Sequence, residues 1–210
     1  MEITKNPAIK ICGLVTEEDV EIVNELPINY AGFVLFYPKS KRNLTMERAA
    51  RLIRRLNPSI KPVAVTVSPT LEQVKEIEKA GFAVLQVHKT LNQEVEKYTT
   101  LPIFRAVNVE REKDVKTAFL EASEKVQYLV FDGKNPGSGK TFDWGFLKEN
   151  VDNTSKVMLA GGLHEGNVKE AISLVHPGIV DVSSGVENDL GTGKDKGKVE
   201  RFVRAVMSAC

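Results

Sequence analysis

Cysteine is scarce in this chain. It occurs twice in 210 residues, as Cys12 and Cys210, and two such distant thiols form no metal-ligand spacing. A disulfide between them stays open on sequence alone, but thiols used this sparingly fit a reducing cytosol. Excess charge is lacking too: 29 basic residues face 28 acidic ones, for a net charge of +1. That balance gives no ground for a dedicated nucleic-acid or membrane surface. No window approaches the ~18 apolar residues of a membrane span, and no long apolar run follows a basic start, so no signal peptide is expected. Linkers rich in Gly, Pro or Ser are missing, as is any composition shift marking a second domain. These absences predict a cytoplasmic protein with one domain over residues 1–210, and 42% hydrophobic residues are enough to build its core.

What is present is an alternation. Eight apolar runs recur: "AIKIC" (8–12), "AGFVLF" (31–36), "KPVAVTV" (61–67), "FAVLQV" (82–87), "PIFRAV" (102–107), "VQYLVFD" (126–132), "KVMLAG" (156–161) and "GIVDVSS" (178–184). Most are continuous in hydrophobicity, as in parallel strands covered on both faces. Segments with helical spacing lie between them. "TEED" (16–19) and "TLEQ" (70–73) read as capping boxes. Residues 44–56, 110–125, 165–175 and 196–207 carry apolar stripes, and 91–98 and 143–150 read as shorter helices. Eight such units predict an α/β fold closed as a compact (β/α)8 TIM barrel. The alternative is a doubly wound open sheet, which usually has fewer strands and a Gly-rich first turn. "KICGL" offers no GxGxxG there.

A barrel carries its site at the C-terminal ends of its strands. Those positions hold Cys12, His88, Asn108, Asp132, Gly161, Gly162, Asp181, Ser183, Ser184 and Gly185. Glycines cluster late, in "PGSGK" (136–140), "AGGL" (160–163) and "SSGVE" (183–187). Glycine lets backbone N–H groups close on an anion, and "AGGLHEGN" leads into a helix N-terminus. The loops after the seventh and eighth strands are therefore the expected phosphate site. "GSGK" lacks the spacing of a P-loop.

Each of these residues also has a plain structural reading. Cys12 could be a buried packing thiol, Asp132 before Gly133 a turn aspartate, and His88 a satisfied structural histidine. Arg42 lies in a basic run that could be a solvated face. His164 and His176 read as surface or capping residues, Trp144 as a packing residue, and Cys210 as inert.

Taken in order, "KICGL", "GFVLFYPKSKRNLT" (32–45), "LQVH" (85–88), "GSGKTFDW", "LAGGLHEGNV" (159–168), "DVSSGVE" (181–187) and "GKDKGKVERFV" (193–203) resemble phosphoribosylanthranilate isomerase of tryptophan biosynthesis, over nearly the whole chain. The resemblance implies a (β/α)8 barrel that needs no cofactor and no metal. It implies an Amadori rearrangement of a phosphorylated small molecule, with Cys12 as general base and Asp132 as general acid. It places Arg42 at the anthranilate, Asp181 near the sugar hydroxyls, and the Gly161, Gly162, Ser183, Ser184 and Gly185 loops at the phosphate, with His88 among the binding residues. Three places depart from the family pattern: Lys89 follows "LQVH" where Gly is usual, the third strand carries Ala64, Thr66 and Ser68, and "PGSGK" replaces a Gly-Gly-Thr-Gly-Lys run. An isomerase of histidine synthesis would more usually carry Asp where Cys12 stands. A barrel that binds a sugar phosphate without turnover would not need an acid and a base. Monomer and homodimer both stay open.

The chemistry sets two demands on these residues. A free thiol has a pKa of ~8.5, so Cys12 needs cations nearby; Lys10, on the same strand face, and Arg42 are the candidates. An aspartate near ~3.9 is a poor acid at neutral pH unless burial or a neighbouring anion raises it.

Overall fold

The computed structural model describes residues 6–133 and 141–209. Its strands are parallel and form one sheet that closes on itself. They are β1 (Ala8–Cys12), β2 (Tyr30–Leu35), β3 (Asn43–Leu44), β4 (Lys61–Val67), β5 (Val84–His88), β6 (Ile103–Val109), β7 (Val126–Gly133), β8 (Val157–Leu159) and β9 (Ile179–Val182). Each barrel strand pairs with its neighbours in chain order, and β1 closes the ring by pairing with both β9 and β2. The two-residue β3 lies outside this ring, against the end of β2.

The helices α1 (Glu17–Asn24), α2 (Met46–Ile53), α3 (Leu71–Lys79), α4 (Gln93–Tyr98), α5 (Glu112–Glu121), α6 (Gly145–Asn150), α7 (Val168–Val175) and α8 (Lys196–Met207) fill the crossovers. Both expected capping boxes form. The Thr16 hydroxyl accepts from the Asp19 N–H at 3.0 Å, and the Asp19 carboxylate accepts from the Thr16 N–H at 3.0 Å. Thr70 and Gln73 repeat the arrangement. Asp19 does more than cap: its other oxygen accepts from the Lys194 N–H at 2.6 Å, tying the start of α1 to the approach to α8.

Two apolar layers follow from strand periodicity. Outward residues such as Ile9, Ile11, Phe33, Leu85, Val87 and Phe131 pack beneath the helices. Inward residues such as Val63, Val84, Phe104, Val130, Met158 and Ile179 fill the barrel. Phe104 packs edge-to-face on Tyr30 at 5.4 Å and on Tyr128 at 5.3 Å, stoppering the N-terminal end. Above this floor the filling turns polar, with Lys10, Gln86 and Asp181 all buried. Buried groups of this kind are tolerable only when paired, and their pairing builds the site.

Several strand ends differ from the sequence expectation. The run at 178–184 ends as strand at Val182, and Ser184–Val186 winds into a 3-10 turn instead. The run at 156–161 is strand only over Val157–Leu159. Gly161 and Gly162 have φ of 79° and 69°, outside the strand region. The helix expected from 165 begins at Val168, because Asn167 turns its side chain back on the loop and accepts from the His164 N–H at 2.8 Å. The described chain contains no helix long and apolar enough to cross a membrane.

Candidate active site

Cys12 ends β1 with its side chain inside the barrel. Lys10, two residues earlier, points the same way and is fully buried. Its Nζ donates to Asp181 Oδ1 at 2.9 Å, across the β1–β9 pairing that sets the two residues side by side. The same ammonium also acts on the Cys12 thiol. Gly32 makes room for both groups. A Cβ there would stand 2.9 Å from Cys12 Sγ and 3.2 Å from Lys10 Nζ. Burial pushes the Cys12 thiol above its ordinary value; Lys10 and then Lys194 oppose the rise, while Asp181 adds to it. Lys10 stays protonated. Burial would neutralise it, but Asp181 and Cys12 outweigh burial and hold its pKa above the usual lysine value.

Asp132 stands near the end of β7. Burial first, and the charge of Asp181 second, raise its carboxyl to about 6. Both conditions the acid needs are therefore met. Asp132 Oδ1 accepts from the Gly133 N–H at 2.7 Å, so the side chain is folded onto its own backbone and held. Gly161 lies directly against it.

His88 ends β5. Burial and the nearby charges of Lys10 and Arg105 pull its pKa down to about 4, so the ring is neutral near pH 7. Its Nε2 is 3.0 Å from the Gln86 side-chain nitrogen, while Gln86 Oε1 is buried without a partner among the described residues.

Arg42 reaches over the end of β1 from the segment after β2. Its side chain packs on Gly13, whose missing Cβ would also lie 3.2 Å from Ser183 Oγ. The Arg42 Nε–H donates to Glu187. Glu187 also accepts from Lys41 at 2.9 Å, and Lys194 Nζ lies 3.8 Å from the same carboxylate. Lys194 is buried and donates to the Ser183 carbonyl at 3.1 Å. Burial lowers its pKa to about 8 despite Glu187. Three cations thus converge on one carboxylate, and one of them, Lys194, also acts on Cys12. Sequence reasoning missed Lys194 and Glu187 as site residues, although both stand in the quoted motifs "GKDKGK" and "SSGVE". They read there as loop charges because nothing local shows that the loops fold back over β1.

Next to this cluster, the loop that follows Gly161 and Gly162 and the Ser183–Gly185 turn pack together. A Cβ on Gly185 would fall 2.1 Å from the Leu163 carbonyl, so only glycine permits this approach. The Asn167 side chain donates to the Gly162 carbonyl at 3.0 Å, fixing the loop at the start of α7. The "PGSGK" segment (136–140) and Cys210 lie outside the described residues. His176 caps α7 in a left-handed conformation, and Trp144 packs on the core at the start of α6.

The arrangement sets a carboxyl able to donate a proton and a thiol beside a fixed cation at one barrel mouth, with glycine turns nearby. A search of protein families matches residues 9–205 to N-(5′phosphoribosyl)anthranilate (PRA) isomerase. A Clostridium acetobutylicum protein named N-(5′-phosphoribosyl)anthranilate isomerase is 41% identical over 202 residues, covering 94% of this chain and 97% of the relative. The crystal structure of phosphoribosyl anthranilate isomerase from Thermotoga maritima superposes with a TM-score of 0.85 at 31% identity, covering 96% of this chain and 98% of that one. A structure of such an enzyme in complex with reduced 1-(o-carboxyphenylamino)-1-deoxyribulose 5-phosphate matches with a TM-score of 0.81 at 29% identity, over 96% of this chain and 98% of that one. The chain belongs to the N-(5′-phosphoribosyl)anthranilate isomerase family.

Proposed function

We propose that this chain isomerises N-(5′-phosphoribosyl)anthranilate to 1-(2-carboxyphenylamino)-1-deoxyribulose 5-phosphate, as one catalytic domain in the cytoplasm, with Asp132 as general acid and Cys12 as general base. Asp132 protonates the ribose ring oxygen. The C1′–O bond breaks, and the nitrogen lone pair forms a protonated Schiff base. The Cys12 thiolate then takes the C2′ proton. The released electron pair makes a C1′–C2′ double bond and neutralises the nitrogen. The resulting enol loses its hydroxyl proton as C1′ gains one, and the ketone forms. The scheme moves protons with side chains alone and calls on no cofactor.

The observation that carries this reading is the Asp132 carboxyl, which titrates at about 6 and shares the barrel mouth with the Cys12–Lys10 pair. An acid must hold its proton at the working pH to give it up, and an ordinary aspartate would not. The Gly161–Gly162 turn, with Ser183, Ser184 and Gly185, suits the 5′-phosphate, since backbone N–H groups and the α7 N-terminus favour an anion. Arg42, steadied by Glu187, suits the anthranilate carboxylate. Asp181 suits a sugar hydroxyl, and His88 is a neutral binding residue on the opposite wall. Complementation tests the function. A tryptophan auxotroph lacking this isomerase should grow when it carries the wild-type gene and fail with Cys12→Ala. Failure of the expressed wild-type gene to restore growth would contradict the reading.

A further inference from the structure

A buried lysine with two claimants is the feature the proton scheme leaves unused. Lys10 Nζ lies 2.9 Å from Asp181 Oδ1 and faces Cys12 Sγ across the space Gly32 leaves open. We propose that Lys10 is the positioning residue for the base: its one ammonium is shared between the Cys12 sulfur and the Asp181 carboxylate, so Asp181 competes with the thiolate for the charge that would hold it. The inference rests on the isomerase reading for its purpose, since a base at C2′ must be a thiolate.

The geometry favours sharing over an isolated ion pair. An ammonium has three donors, and the bond to Asp181 uses one. The β1–β9 register fixes Asp181 on one side, and the β1–β2 register sets Gly32 beside Cys12 on the other. Other charges face the group as well. Lys194, from the segment before α8, adds a second cation to Cys12, and Arg42 acts on Lys194. Asp132 on β7 and His88 on β5 both feel Lys10, and His88 is neutral. Of these groups Lys10 is the strongest favouring the thiolate, and Asp181 opposes it.

A purely structural ion pair and a shared cation predict different results. The test is the pH titration of Cys12 by thiolate ultraviolet absorbance, without substrate, in a Cys210→Ser background and against a Cys12→Ser control. Lys10→Met should move the Cys12 midpoint upward by about one pH unit or more, and Asp181→Asn should move it downward. If Lys10→Met alone does not fold, because it strands a buried carboxylate, the Lys10→Met/Asp181→Asn pair answers instead. Its midpoint should lie above that of Asp181→Asn. An unmoved midpoint, or two single variants moving in the same direction, would overturn the proposal. Wild-type turnover is measured separately, so loss of the isomerase reading and loss of the Lys10 role give different results.

Discussion

Gly161, in the turn after β8, lies against Asp132 on the neighbouring β7: a Cβ on Gly161 would lie 2.6 Å from Asp132 Oδ1 and 2.8 Å from the Gly133 nitrogen. The glycine turn proposed for the phosphate is thus the wall against which the acid rests. Gly161 also has φ +79°, where a side chain is strained. Gly161→Ala should therefore push the carboxyl from its place. The expected result is a fall in kcat of roughly tenfold or more, from misplacement of the acid, with a stability loss of about 1–2 kcal/mol from the left-handed backbone. Steady-state kinetics and thermal melting measure the two effects.

Asp132 should trade stability for its function. Its carboxyl is raised from 3.8 to about 6 in the folded protein. The folded state therefore binds a proton more tightly than the unfolded one. Stability from this group is present below the unfolded value and is lost as pH rises through about 6. Asp132→Asn removes the penalty and can keep the bond from the Gly133 N–H. It should stabilise the protein at pH 7 by on the order of 2 kcal/mol and give little gain at pH 4. Denaturant unfolding at both pH values measures the difference.

Glu187 should matter through Arg42. It accepts from both Arg42 and Lys41 and lies close to Lys194. Glu187→Gln keeps the shape but removes the charge that holds these cations in place. KM should rise several-fold with a smaller change in kcat, as for a lost binding contact. An unchanged KM would detach Glu187 from substrate binding.

Lys89 stands with φ +59° right after His88, where the family pattern has glycine. A left-handed lysine costs about 1 kcal/mol. Lys89 is exposed, so the side chain gives little packing in return. Lys89→Gly should raise Tm by roughly 2–4 °C. Calorimetry would show it.

The barrel was legible because continuous apolar runs and capping boxes are local signals. Each of the eight runs overlaps a barrel strand, and helices form in all eight expected places. What escaped the sequence reading depends on contacts between distant segments. β3 forms only because Asn43–Leu44 lands beside β2. The eighth run stops early because Ser184–Val186 turns to pack on the preceding loop. Cys12, Asp132 and Asp181 could be picked out because strand ends in a barrel face one mouth. The cations around Cys12 could be identified only in part. Lys10 followed from strand alternation, but Lys194 is 182 residues away from Cys12 in sequence and reaches it through the loop that Asp19 anchors. The raised thiol was also missed, since desolvation depends on how completely the barrel closes overhead.

The central claim is that Cys12 and Asp132 work as base and acid on one substrate. The most direct test is turnover of N-(5′-phosphoribosyl)anthranilate by the purified protein, followed as loss of the substrate's fluorescence, for wild type, Cys12→Ala and Asp132→Asn. The account predicts rapid conversion by wild type and a kcat lower by ~10²–10⁴-fold in each variant, with both variants still folded by circular dichroism. Wild-type turnover retained by either variant would contradict it.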